Sequence, residues 1–358
     1  MRITIVSPFP RDGRPGRAGG MAQCAQSLYD GLRRDGVLDV RMTLQDYRFP
    51  WMFLLRLVRN SLWADVIYVQ ISGAITAFTN GVFPSIFSGR LGKIVIIRYG
   101  GGYPETFLAT YDRYFHRFFH DATVVVNTSL AANSFRIRGY KTWVIPNIAE
   151  VENFLTARRE PGALRVIVCR HLDRIYNIPI ALKAFKIVKQ EFPSATLTVT
   201  GDGPMLEELR RLSESLSLRD VVFRASVPHS DLPGIFAKAD VFINPTNAVE
   251  IPLSLVEAAA AGLVIVASDT GAIREFIQHN VNGLLSAPND SEMMAKWVIA
   301  LFHRSNLMSK FRRAARRSAT QYSWSALRDR YYELCRRASR HELFRESVLE
   351  SEHRRWQR

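Results

Sequence analysis

The residues best placed to do chemistry form one run, Glu250-Ile-Pro-Leu-Ser-Leu-Val-Glu257, followed by Ala258 to Gly262. The apolar stretch before it, Ala239-Asp-Val-Phe-Ile-Asn-Pro-Thr, reads as a buried strand ending in a polar loop. Pro252 suits the first turn of a helix because its fixed φ is helical and no N–H is lost. The start of such a helix, at Leu253 and Ser254, presents unpaired amides and a partial positive charge, the environment that a diphosphate seeks. Glu257 lies about one and a half turns further along, where a carboxylate accepts hydrogen bonds from ribose hydroxyls.

Two glycine-rich stretches add to this. Gly19-Gly20-Met21 follows the first strand and opens a helix, so backbone and helix start can both approach an anion. Ile97-Arg98-Tyr99-Gly100-Gly101-Gly102 follows another buried strand and reads as a loop lining a cleft. The eight histidines, His116, His120 and His171 among them, show no spacing that marks a catalytic dyad or a metal site, and most read as structural or exposed. No DxD-type motif stands out, so no metal and no cofactor are expected.

These runs need a scaffold. Apolar strand-like segments alternate with helical patterns nearly throughout, which is the mark of parallel sheets covered by helices. ITIV, VRMTL, DVIYVQI, KIVIIRYG, ATVVVNT and WVIPN make a first series, with a helix from about Gly20 carrying Met21, Ala25, Leu28 and Leu32 at helical spacing and Gly36 as its stop. FLLRLVRNSLW, residues 53–63, reads as an amphipathic basic helix. A polar stretch around Arg158 to Gly162 marks the junction. LRVIVCR, a helix over 178–192, ATLTVTG, a helix over 205–216, VVFRAS, ADVFINP, LVIVASD and GLLSA make a second series. The expected architecture is α/β: two Rossmann-like doubly wound domains facing a central cleft, over 1–155 and 156–322. A helix at 323–340 packs back on the N-terminal domain, and 341–358 is a polar tail.

At 358 residues, 47% hydrophobic and 23% charged, the chain has room for two cores and lacks the composition of disorder. Three separated cysteines, Cys24, Cys169 and Cys335, suggest neither a disulfide framework nor a zinc site. No secretory leader is read at the N-terminus, and Val66 to Gly89, though uncharged, contains Gly81 and Pro84 and suits strand and loop better than a membrane span. The expected location is cytoplasmic. Residues 1–150 hold 18 Lys/Arg against 10 Asp/Glu, 151–300 hold 15 against 17, and 301–358 hold 15 against 6. A basic first half and tail suit an anionic membrane surface or an anionic substrate, or simple solubility. Nucleic acid is disfavoured, because no interleaved aromatic-basic motif is present.

The chain resembles the nucleotide-sugar-dependent glycosyltransferases of family 4, which share the GT-B fold. The resemblance rests on the Glu250–Gly262 run, GDGP at Gly201–Pro204 with Gly203, VPHSDLPGIFAKADVFINP at 227–245, Asp269-Thr-Gly-Ala-Ile-Arg-Glu275 and Asn282-Gly-Leu-Leu. It covers about residues 1 to 338. It implies a retaining enzyme that takes a nucleotide sugar as co-substrate, with Glu257 on the ribose and the Gly19–Gly20 loop facing the donor. The family spaces two glutamates by seven residues. Here six intervene and Val249 stands at the expected place, so Glu250 either reaches the donor through an adjusted loop or is an ordinary loop acid. The family's Gly-Arg-Leu with a later Lys is replaced by Cys169-Arg170-His171-Leu172-Asp173-Arg174-Ile175-Tyr176-Asn177, similar to a subgroup with Arg-x-Leu…Tyr-Asn. Leaving-group departure needs positive charge, so Arg170 or Arg174 is expected to neutralise the diphosphate, unless both are surface arginines around a turn. Many relatives carry a His before the cleft-lining glycines, where this chain has Arg98 and Tyr99.

The acceptor side is less legible. The resemblance implies a saccharide or lipid-linked saccharide acceptor, with Arg98, Tyr99 and Gly101 on its side of the cleft. The 53–63 helix, with Trp51 and Trp63 at its ends, either lies on an anionic membrane or turns its apolar face to its own core. Two further function classes stand beside transfer: a relative that binds nucleotide sugar without transferring it, as a partner of an active enzyme, and a basic nucleic-acid-binding protein.

Overall fold

A computed structural model describes residues 1–8, 20–45, 49–72, 92–101, 103–119, 122–155, 162–248 and 250–339. Gly19, Gly102, Val249, the Arg158–Pro161 part of the expected junction and the 341–358 tail lie outside them.

Among the described residues two six-stranded parallel sheets are present. The first runs β2(Asp39–Gln45)-β1(Arg2–Pro8)-β3(Val66–Ile71)-β4(Ile94–Tyr99)-β5(Thr123–Val126)-β6(Thr142–Val144). The second runs β12(Leu284–Ser286)-β11(Val264–Ser268)-β10(Val241–Asn244)-β7(Arg165–Cys169)-β8(Thr196–Thr200)-β9(Val221–Arg224). Parallel strands covered on both faces carry near-continuous apolar runs, and β3 and β11 are buried at every residue. In each sheet the strand order reverses once, between β1 and β3 and between β7 and β10, and in such sheets ligands bind beyond the carboxyl ends at that switch.

The helices named below are α1(Gly20–Asp35), α2(Pro50–Trp63), α3(Pro104–Phe119), α4(Ser129–Arg136), α5(Ile178–Glu191), α6(Leu206–Ser215), α7(Leu232–Phe236), α8(Leu253–Ala260), α9(Ser291–His303), α10(Ser305–Thr320) and α11(Trp324–Ser339). One face of the second sheet buries Val166, Val168, Val241 and Val266 against Phe185, Val188 and Leu301, and the other buries Ile167, Phe242 and Ile265 against α8 and Ala315 of α10. The long C-terminal α11 returns to the first sheet. Trp324, Leu327, Tyr331 and Leu334 share a core with Ile3, Ile5, Leu28 and Tyr68, and a side chain at Gly31 would run into the Trp324 indole.

The two halves meet at a built contact. Glu275, closing the short turn Ala272–Glu275 of the second half, accepts the backbone amides of Ser129 and Leu130 at 2.9 and 3.2 Å. These are the first amides of α4, which have no intrahelical partner, so a carboxylate from the other half completes that helix end.

Candidate functional site

Pro252 is extended (φ −72°, ψ 144°) and stands one residue before α8 rather than inside it. Its carbonyl accepts the amides of Leu255 and Val256 at 3.2 and 3.4 Å. No side chain caps this end, which leaves the Leu253 and Ser254 amides as its outward donors. Leu253 is buried, and its Cδ1 lies 3.9 Å from where a Cβ on Gly20 would stand. The start of α8 therefore faces the start of α1 across the space between the sheets.

Glu257 is 2% exposed. Its Oε1 lies 2.7 Å from His229 Nε2. Burial pushes the thiols of Cys24 in α1 and Cys169 at the end of β7 up to about 12, and the Glu257 charge adds to the rise of both. The carboxylate thus sits under the cleft, between the two halves of the chain.

Arg170 follows β7 at the switch point. Its Nη2 donates to Glu250 Oε1 at 2.7 Å, and its guanidinium carbon lies 4.0 Å from the centroid of the Tyr176 ring. Nη1 is buried without a hydrogen-bond partner among the described residues. The Tyr176 ring is held by a short turn: Asp173 accepts the Ile175 amide, and Asn177 takes a left-handed conformation at φ 52° that asparagine tolerates. Arg174 and His171 are exposed on the same segment, so of the two expected cations Arg170 is the one drawn into the site. Gly201 (φ 146°) and Gly203 act from behind: a side chain at either would collide with the backbone of Arg170 or Leu172. Gly203 supports the arginine segment by packing on its main chain.

Glu250 is ion-paired with Arg170. Burial raises the phenol pKa values of Tyr99 and Tyr103 from the first half and Tyr176 from the second, and the Glu250 charge raises all three further. The displaced glutamate therefore lies between the halves despite the one-residue shift.

On the opposite wall Gly20 begins α1 and Met21 fills the space beside Gly100, so a side chain on Gly100 would run into the Met21 sulfur. Gly101 is equally confined, since a side chain there would run into the Tyr99 hydroxyl and the Ser72 carbonyl. The start of α1 and Gly100 after β4 therefore lie side by side. Arg98 and Tyr99 do not join them as loop residues. Both end β4 and are 2% exposed. Arg98 donates to the carbonyl of Ile145 at 2.6 Å, to that of Val126 at 3.3 Å and to Asn147 Oδ1 at 2.6 Å. Tyr99 packs its ring 5.1 and 5.2 Å from Phe107 and Phe135. The acceptor-side expectation for these two is corrected: a guanidinium one residue from a strand end meets the carbonyls of neighbouring strands, which local spacing does not show.

Sequence reasoning also missed His229. It heads the turn His229–Asp231, with Nδ1 3.7 Å from Glu150 Oε2 and its ring edge-on to Phe154 at 5.9 Å. Burial works against its charged form, but the bond to Glu257 and the Glu150 charge outweigh this and raise its pKa. Only its place within VPHSDLP hinted at a role. Among the described residues, no three His, Cys, Asp or Glu side chains converge as a metal site.

Residues 157–318 match the family model for glycosyl transferases group 1. The chain is 30% identical over 159 residues to the sulfoquinovosyl transferase SQD2 of Arabidopsis thaliana, 44% of this chain and 30% of that protein. It is 31% identical over 153 residues to a GDP-mannose-dependent alpha-(1-6)-phosphatidylinositol monomannoside mannosyltransferase of Mycobacterium tuberculosis, 40% of each. The chain thus spans less than half the length of these relatives. Its backbone superposes on Anabaena HepE, solved with UDP-glucose, with a TM-score of 0.74 at 19% identity, covering 94% of this chain and 99% of that one. The second half is thus similar to glycosyl transferases group 1, and the whole has the two-domain GT-B fold.

Proposed function

We propose that the chain is a retaining glycosyltransferase that moves a sugar from a nucleotide sugar to a saccharide or lipid-linked saccharide in surface polysaccharide or glycoconjugate synthesis. One observation carries the reading: an uncapped helix start, a buried carboxylate and a paired arginine converge at the switch point of the second sheet, facing the glycine loops of the first. Relatives named for GDP-mannose-dependent mannosyl transfer and for sulfoquinovosyl transfer, and a structural neighbour solved with UDP-glucose, support the donor class.

In this reading Glu257 binds the ribose hydroxyls, and the amides of Leu253 and Ser254 hold the diphosphate. Arg170 turns its unpartnered Nη1 to the phosphates, where charge grows as the bond from the sugar C1 to the phosphate oxygen breaks. The acceptor oxygen attacks C1 on the same face, and its proton passes to the departing phosphate oxygen. Nucleoside diphosphate leaves, and no protein base is required. Glu250, still held by Arg170 Nη2, turns its other carboxylate oxygen to a sugar hydroxyl. Diphosphate charge is thereby held by dipole and arginine, without a metal.

The acceptor side is assigned to the first half. Helix α2 buries Phe53, Leu57, Asn60 and Ser61, and leaves Trp51 at 62%, Leu55 at 64% and Leu62 at 50% exposure beside exposed Arg56 and Arg59. It satisfies its own core and still offers an apolar and basic outer face, suited to the inner surface of an anionic membrane where a lipid-linked acceptor resides. Among the described residues no helix is long and apolar enough to cross a membrane. Proton NMR of the glycosidic product tests the reaction: retention of the donor's anomeric configuration is expected, and an inverted product would overturn the front-face route.

A further inference from the structure

We propose that His229 is the positioning residue of the donor site, fixing the Glu257 carboxylate and tying it to helix α1 through Glu150. The inference rests on the donor-site reading of Glu257 and adds a residue to it.

A carboxylate this buried needs a bonded partner, because an unsolvated charge is costly. Among the described residues His229 is the hydrogen-bond partner of Glu257. With Oε1 held at 2.7 Å, rotation of the carboxylate is restrained and Oε2 remains for ligand hydroxyls. The ring is itself restrained from behind. Its Nδ1 faces Glu150 Oε2 at 3.7 Å, and Phe154, 1% exposed, packs against it. Glu150 is fixed in turn, accepting Gln23 Nε2 at 2.7 Å and Asn153 Nδ2 at 2.8 Å. Gln23 lies in the first turn of α1, three residues after Gly20. A continuous line, Gln23–Glu150–His229–Glu257, therefore links the start of α1 in one half to the carboxylate in the other.

Among the described residues, the charged groups facing the ring are Glu257 from α8 and Glu150 from the segment joining the halves. Helix α1 contributes the neutral Gln23 by way of Glu150, and Phe154 packs edge-on to the ring. A protonated ring donates to Glu257 and pairs its charge with Glu150 across 3.7 Å. A neutral ring holds one and leaves the other facing a bare nitrogen. The raised pKa matches this arrangement. Donor affinity is therefore greatest below the raised value of His229 and declines as pH rises through it.

The test is calorimetric titration of the full chain with UDP-glucose and with GDP-mannose from pH 5.5 to 8.5, on wild type, His229→Ala, His229→Gln and Glu257→Gln. With whichever sugar nucleotide binds wild type, H229A should weaken affinity about tenfold. H229Q, whose amide can still donate to Glu257, should recover most of it, and its pH dependence should be flat. If E257Q loses binding while H229A matches wild type at every pH, the positioning role is wrong and the donor reading stands. If E257Q also binds as wild type, or wild type binds neither probe, the donor reading fails and His229 with it. Should the His229 variants not fold, the imidazole 15N resonances of wild type decide: the His229 signal should titrate above the ordinary range and shift on adding the bound nucleotide sugar. A ring that titrates normally and ignores the ligand would overturn the proposal.

Discussion

Arg170 donates to Glu250 across 2.7 Å, from the end of β7 to the loop before α8, with 6% and 19% of the two side chains exposed. Each residue departs from the family pattern in position, yet they meet. A pair this enclosed is pre-set, so the arginine need not be ordered when a diphosphate arrives. Removing a charge-stabilising donor at such a place costs on the order of 10²–10³ in turnover. Arg170→Ala should lower kcat for donor hydrolysis or transfer by that much. Arg170→Lys should restore little, because a lysine cannot hold Glu250 and a phosphate with one planar fork. Glu250→Ala should cost less, and the double variant should lose less than the product of the two, as expected of residues in contact. Additive losses would show that the pair does not act as a unit.

Arg98 is expected to be a stability residue. It is fully enclosed and satisfies two carbonyls and the Asn147 amide oxygen at the ends of β5 and β6, near the buried phenols of Tyr68 and Tyr331. Arg98→Met leaves those acceptors unpaired at about 1–3 kcal/mol each. Urea denaturation should show a loss of at least about 3 kcal/mol. Arg98→Lys should not rescue it, since one ammonium cannot reach all three acceptors. Wild-type stability with impaired acceptor binding would return Arg98 to the role that its neighbouring glycines suggested.

Helix α2 is expected to bind vesicles of mixed phosphatidylserine and phosphatidylcholine. Each arginine near an anionic surface contributes about 1 kcal/mol. Arg56→Gln with Arg59→Gln should therefore weaken co-sedimentation roughly 30-fold and remove most of its salt dependence. Trp51→Ser with Leu55→Ser should weaken it at all salt concentrations. Unchanged sedimentation in both double variants would remove the membrane from the account.

Much of this was legible in the sequence, for physical reasons. Strands such as β3 and β11 are buried on both faces and so appear as near-continuous apolar runs. The donor-side block is contiguous: the strand, the turn, Pro252 and Glu257 lie within about twenty residues, and helix geometry does the rest. Arg170 and Arg174 both stood out because leaving-group chemistry requires a cation there, and the fold shows which of them is enclosed. What stayed hidden depends on distant pairings. His229 reaches Glu257 from 28 positions away, and Gln23 reaches Glu150 from 127. Glu275 finds the α4 amides 145 and 146 positions back. Arg98 misled for the same reason, since its partners Val126 and Ile145 are adjacent only once β5 and β6 have paired.

The most direct test is a crystal structure of the chain with the nucleotide sugar that it binds most tightly, read at the ribose and the diphosphate. Glu257 should lie within about 2.5–3.0 Å of a ribose hydroxyl, with phosphate oxygens on the Leu253 and Ser254 amides and on Arg170. A ribose held elsewhere, with Glu257 still engaged only by His229 and the start of α8 facing no phosphate, would contradict the account.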